Sequence, residues 1–276
     1  MSIYAQKGLL IRLIYLVLAA LWYGVTGTGR RFGRHRLVLC YHGINAAQQD
    51  RFKRQMLYLR NHAVPGEMSM HPPHVRLRQG PVIAMTFDDA FENLIDNAIP
   101  VLNEFQIPAI VFAVPGNLGR TPKWAISPDH PESREKVMTA EQLVILDKNP
   151  LIRIGSHTMT HPNLATLTSE KIRHELAESK QQIELLLGHP VEDLALPHGA
   201  FNETVLQMAH QVGYKRVYTL EPKVMPEVEM QNGVIGRFSM SPDVWPIEFT
   251  LTCAGAYSWL MGVRRTVQFF RHKRSS

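Results

Sequence analysis

Five short apolar runs, LVLCY (37–41), VIAMTF (82–87), AIVFAV (109–114), LIRI (151–154) and DLAL (193–196), recur along the chain with helix-patterned stretches between them. Runs this short, with no polar residue at every second position, read as strands covered on both faces. Strands separated by helices run parallel, because a parallel pair needs a crossover of that length. The pattern restricts the fold to α/β, an open sheet or a barrel, with any active site at the C-terminal ends of the strands.

KRVYTL (215–220) reads as a weaker strand, and helices are expected over 50–62, 91–105, 139–147, 169–187 and 202–212. The helix over 139–147 opens with a capping box, Thr139-x-x-Gln142; that over 169–187 has Thr168 as N-cap and Gly188 just past its end. Residues 117–138 show no period and read as a surface loop over the rim of the site.

Charge is distributed unevenly. The net value is +6, yet residues 1–36 carry Lys7, Arg12, Arg30, Arg31, Arg34 and Arg36 with no acid, and residues 249–276 carry Arg264, Arg265, Arg271, Lys273 and Arg274 with no acid. The middle is therefore acidic, which disfavours nucleic acid as a partner and favours an anionic membrane surface at the two ends. Residues 8–25, GLLIRLIYLVLAALWYGV, are apolar apart from Arg12, with Trp22 and Tyr23 at the downstream edge.

This segment is expected to seek a membrane, spanning it or lying in its interface, and without cleavage, since no A-x-A site follows the apolar run. The arginines downstream favour a main body on the cytoplasmic face. Three regions follow: 1–36 as a membrane-associating helix with a basic flank, 37–248 as the main α/β domain, and 249–276 as a basic amphipathic segment. Cys40 and Cys253 are far apart and imply no disulfide framework.

VIAMTF ends in Asp88 and Asp89. Adjacent carboxylates repel unless a cation stands nearby or one holds a proton. Downstream of LIRI, GSHTMTHP supplies His157 and His161, at a spacing that places two imidazoles on one side of a helical turn. Two imidazoles and a carboxylate are the ligand set of a catalytic Zn²⁺ or a similar divalent ion such as Co²⁺ or Ni²⁺.

TFDD, His-Thr-x-x-His-Pro and LALPHG together resemble the successive motifs of the NodB-type polysaccharide deacetylases, over about residues 37–240. The resemblance is nearest to the branch containing the biofilm poly-N-acetylglucosamine deacetylases, where an early Tyr-His supplies the general acid. It implies a distorted (β/α) barrel, Asp88 as general base, and Asp89, His157 and His161 as metal ligands. No Leu-x-His motif follows residue 200, so His42 of LCYHGI stands as the acid, with His198 of PHG as the alternative. The backbone N–H at His198 is implied as an oxyanion donor.

Arg237 of VIGRFSM either pairs with Asp88 or is a surface residue. Leu196 reads as core, while Trp124 could line a sugar subsite. Relatives usually carry Gly where this chain has Ala90, so a negative φ is expected there. The implied reaction is removal of an N-acetyl group from an amino sugar in a polysaccharide or a lipid-linked precursor. A deformylase of a lipid-linked amino sugar, or a sugar-binding protein without turnover, are the alternatives.

Overall fold

The structure, a computed structural model, describes residues 8–26, 35–66, 80–124, 131–225 and 233–260. Helix α1 (Leu9–Thr26) precedes β1 (Arg36–Tyr41), α2 (Gln49–His62), the short β2 (Val64–Pro65) and β3 (Val82–Phe87). Then come α3 (Asn93–Asn97), α4 (Ile99–Phe105), β4 (Ala109–Ala113), α5 (Ala140–Asp147), β5 (Ile152–Ser156) and α6 (Ser169–Leu187). The remainder is β6 (Asp193–Ala195), α7 (Glu203–Val212), β7 (Arg216–Tyr218), β8 (Val234–Ile235), β9 (Phe238–Ser239) and α8 (Pro246–Cys253).

The strands form one sheet in the order β8-β7-β6-β5-β4-β3-β1-β9, with β2 also on β3, and every pairing is parallel. Laid flat, seven inter-strand spacings of about 4.8 Å would hold the outer strands roughly 34 Å apart. Yet β8 and β9, at opposite ends of the order, are joined by Gly236 and Arg237 alone. That link reaches at most about 11 Å, so the sheet must curl until its two edges meet. The result is the curled parallel barrel of the expected fold class, and Arg237 lies in its seam. Gly236 permits the join: a Cβ there would stand 2.5 Å from the Glu221 carbonyl oxygen.

Strand alternation divides the core in two. Val38, Ala84, Ile110, Phe112, Ala195 and Tyr218 fill the barrel interior, while Leu37, Leu39, Ile83, Met85, Val111 and Val217 face the helices. Among the helices, α5 has both capping-box bonds: Thr139 Oγ1 accepts from Gln142 N at 3.2 Å, and Gln142 Oε1 accepts from Thr139 N at 2.8 Å. Gly188 closes α6 at φ +77°. Thr168 precedes α6 in extended backbone, but its side chain makes no capping bond.

One helix was expected over 91–105; two are found, separated at Ala98 (φ −108°). Pro100 is the cause, since it has no N–H to continue the ladder and its ring crowds the preceding turn. Cys40 and Cys253 are free, as expected. Among the described residues no helix is long and apolar enough to cross a membrane. Lys7, Arg30, Arg31, Arg34 and the basic stretch of the C-terminal segment at 261–276 lie outside the described residues.

Candidate metal and catalytic site

Site residues continue the inward-facing series of their strands. Val38 and Cys40 of β1 are followed by His42, Ala84 and Thr86 of β3 by Asp88, and Gly155 of β5 by His157. Alternation thus carries all three side chains to the upper mouth of the barrel. The parallel register Tyr41↔Phe87 sets His42 and Asp88 beside each other one residue beyond the ladder. Gly155 keeps room below: a Cβ would come within 2.6 Å of the Phe112 ring.

Asp89 would point the other way on a regular strand. Instead the chain turns, with Asp89 at φ +70° and Ala90 at φ +50°, and both carboxylates stay buried at the mouth. The negative φ expected of Ala90 is overturned. Its carbonyl accepts from Met138 N at 2.9 Å and Phe91 bridges Val137, so residues 137 and 138 hold the turn in the left-handed region despite the Cβ.

The helical turn expected for His157 and His161 is also absent. Thr158 (φ +66°) and His161 (φ +63°) break it, and the loop is built by side chains: Thr158 Oγ1 accepts from His161 N at 3.1 Å, and Glu175 accepts from Thr160 N and Oγ1 at 2.8 and 2.6 Å. The imidazoles converge all the same. His157 Nε2 and His161 Nε2 lie 3.7 and 3.5 Å from Asp89 Oδ1.

Their chemistry suits a cation. Asp89 Oδ1 is buried with no hydrogen-bond partner among the described residues. His157 Nδ1 lies 2.9 Å from the Ala195 carbonyl oxygen, which fixes the proton on Nδ1 and leaves the Nε2 lone pair facing Asp89. Burial lowers the pKa of both rings, that of His161 to about 2, which favours the neutral form that a metal ligand needs. The Asp89 carboxyl is pushed well above its usual range by burial, then by the charges of Asp88 and Glu132. A divalent ion among Asp89, His157 and His161 would complete all of these valences.

Asp88 has the opposite environment. Arg237, fully buried, donates from Nη1 to Oδ1 at 2.6 Å and from Nη2 to Oδ2 at 2.9 Å, and also from Nη1 to Thr86 Oγ1 at 3.2 Å. Burial acts to raise the Asp88 pKa, but the guanidinium and the His157 imidazole outweigh it and hold the carboxyl far below its usual range. The surface reading of Arg237 is excluded. His198, at φ +58°, packs edge-on against His161 with ring centroids 4.8 Å apart. Trp124 also stacks on His161, with ring centroids 4.5 Å apart, and Leu196 is a core residue.

Three participants carried no sequence signal: the Ala195 carbonyl, Thr86 as a rest for Arg237, and Cys40, whose thiol donates to Asp88 Oδ2 at 3.3 Å. Their partners come from strands distant in sequence.

Residues 77–217 match the sequence profile of polysaccharide deacetylases. The chain belongs to the polysaccharide deacetylase family. Among its relatives, YxkH of Bacillus subtilis (strain 168) is 25% identical over 194 residues, 67% of this chain and 64% of its own length. The poly-beta-1,6-N-acetyl-D-glucosamine N-deacetylase of Staphylococcus aureus (strain MRSA252) is 23% identical over 149 residues, 51% of this chain and 48% of its own. The matches thus span about half to two thirds of these relatives' lengths. IcaB from Ammonifex degensii superposes with a TM-score of 0.66 at 24% identity, over 79% of this chain and 97% of that one, and shares this deacetylase fold.

Proposed function

We propose that the protein is a metal-dependent hydrolase that removes the N-acetyl group from an amino sugar in a glycan. The supporting observation is the convergence of Asp89, His157 and His161 beside a carboxylate, Asp88, that Arg237 keeps ionised. Zn²⁺ suits the donor set, with Co²⁺ or Ni²⁺ as alternatives, and when bound supplies Lewis-acid polarisation of the amide and a more acidic water. Asp88 accepts the proton of the attacking water, and the Arg237 fork holds that carboxylate in place.

An amide nitrogen leaves only when protonated. His42, next to Asp88 across the β1–β3 register, is the donor. Desolvation lowers its pKa well below the usual imidazole value, so it is neutral at rest and passes on the proton that Asp88 collects. His198 packs edge-on against His161, and its backbone N–H is the oxyanion donor. The basic, apolar ends favour a lipid-linked amino sugar over a free polysaccharide.

The test is direct. The full chain, loaded with Zn²⁺ or Co²⁺, is offered N-acetylglucosamine oligomers and lipid-linked N-acetylhexosamines, and released acetate is measured. Acetate from either class supports the reading; none from any, with metal bound, points to a sugar-binding protein, and formate from an N-formyl analogue alone points to a deformylase. His42→Ala is expected to lower turnover by about 10²-fold or more with metal content intact, while His198→Ala stays near the parent. The reverse pattern assigns the acid to His198.

A further inference from the structure

Eleven of the fifteen large hydrophobic side chains left exposed among the described residues belong to one helix, α1. The face that α1 turns to the body is narrow: Arg12, Tyr15, Leu16 and Ala19, a single stripe at helical spacing. Ala19 is fully buried, the Tyr15 ring lies 5.7 Å from that of Trp259, and the Arg12 guanidinium lies 4.1 Å over the Trp245 ring. Arg12 also grips Glu248 with both arms, Nε to Oε1 at 3.0 Å and Nη2 to Oε2 at 2.5 Å. Glu248 is 2% exposed and accepts from Trp245 N at 2.8 Å, at the start of α8.

The only charge of the apolar helix is therefore spent on the body. Everything it presents outward is apolar: Leu10 is 72% exposed, Val17 56%, Leu21 60% and Val25 86%. Contiguous patches of this extent mark an interaction surface. Withdrawing α1 to insert it alone would leave Glu248 buried without its cation and carry Arg12 into hydrocarbon, and both steps are costly.

The sequence around the patch selects the occupant. Lys7 precedes the helix, Arg30, Arg31 and Arg34 follow it, and no acid occurs in residues 1–36. Trp22 and Tyr23, at its downstream end, are 40% and 38% exposed, as suits side chains at headgroup level. We infer that α1, docked through Arg12 and Glu248, lies flat in the interface of an anionic phospholipid bilayer and holds the deacetylase-fold body against the membrane. It acts as a fixed keel, which a free spanning anchor would not.

The experiment uses the full chain, moved from detergent onto phosphatidylcholine vesicles with or without phosphatidylglycerol. Co-sedimentation is expected with the anionic vesicles and is expected to weaken as salt is raised. The double variant Leu10→Glu, Val17→Glu should lower partitioning by about tenfold or more at an unchanged thermal midpoint. Tags at the two ends should both be cut by protease added outside sealed vesicles. Equal sedimentation of the variant overturns the inference. So does a dimer in light scattering that the variant disperses, which assigns the face to a second copy, and so do tags protected at one end only, which make the helix a span.

Discussion

Asp88→Asn is expected to lower turnover by about 10²–10⁴-fold with metal content unchanged, because asparagine keeps the shape of the base and cannot accept its proton. A second effect follows from Arg237, which is fully buried and donates to both oxygens of Asp88. Removing the charge of one partner leaves the other buried and uncompensated, at a cost of about 3–5 kcal/mol. For a chain of 276 residues that corresponds to a fall in thermal midpoint of roughly 6–20 °C, readable by calorimetry. The double variant Asp88→Asn, Arg237→Met should regain most of the stability and none of the activity. Turnover near the parent in Asp88→Asn would place the base elsewhere. The sign of the pH effect follows from the lowered Asp88 pKa: the stability from this pair is present above the ordinary carboxylate range, near pH 4, and drains away as pH falls through the depressed value.

Much of this site is legible in the sequence for a simple reason. The inward series 84-86-88 and 38-40-42 are periodic, so Asp88 and His42 can be placed from alternation alone once the strands are seen. What alternation cannot show is where it stops. Asp89 joins His157 and His161 only because residues 89 and 90 turn left-handed, a turn that carries a bond from Met138 N to the Ala90 carbonyl. The spacing of His157 and His161 suggested a helical turn, yet Glu175 and Thr158 build a different loop that brings the same two nitrogens together. Spacing constrained the outcome without revealing the backbone.

Arg237 illustrates the other limit. Its neighbours β8 and β9 are two residues each, too short to carry a period, and its position in the seam follows from closure of the whole sheet. Closure is a property of all the strands together, and no local pattern encodes it. The break at Ala98, by contrast, has a local cause, the missing N–H of Pro100, which the helical pattern over 91–105 masked.

Removing metal should abolish acetate release and lower the thermal midpoint, and re-adding Zn²⁺ should restore both. In the metal-free protein Asp89 Oδ1 is buried with no partner, so an ion that meets it gains that unmet interaction on the folded state alone. At about a thousand times its dissociation constant a ligand stabilises by about 4 kcal/mol, or roughly 8–16 °C at this chain length. Asp89→Ala should eliminate the Zn²⁺-induced shift while leaving the protein folded. The pH dependence distinguishes Asp89 from the imidazoles. Burial, with the charges of Asp88 and Glu132, raises the Asp89 pKa, so the metal-free fold retains a proton that the unfolded chain releases near pH 4. The Asp89 contribution to the stability of the metal-free protein therefore falls as pH rises from about 4 toward that raised value, while the buried His157 and His161, whose pKa values are lowered, contribute the opposite slope below the ordinary imidazole pKa near 6.5. Binding displaces the same proton, so Zn²⁺ affinity should weaken as pH falls, by up to about tenfold per unit. Burial lowers the pKa of both His157 and His161, that of His161 to about 2, so the imidazoles compete with protons for the ion less than Asp89 does. One proton released per Zn²⁺ in unbuffered titration agrees with this assignment, and two or three would mean that the imidazoles are charged in the metal-free site.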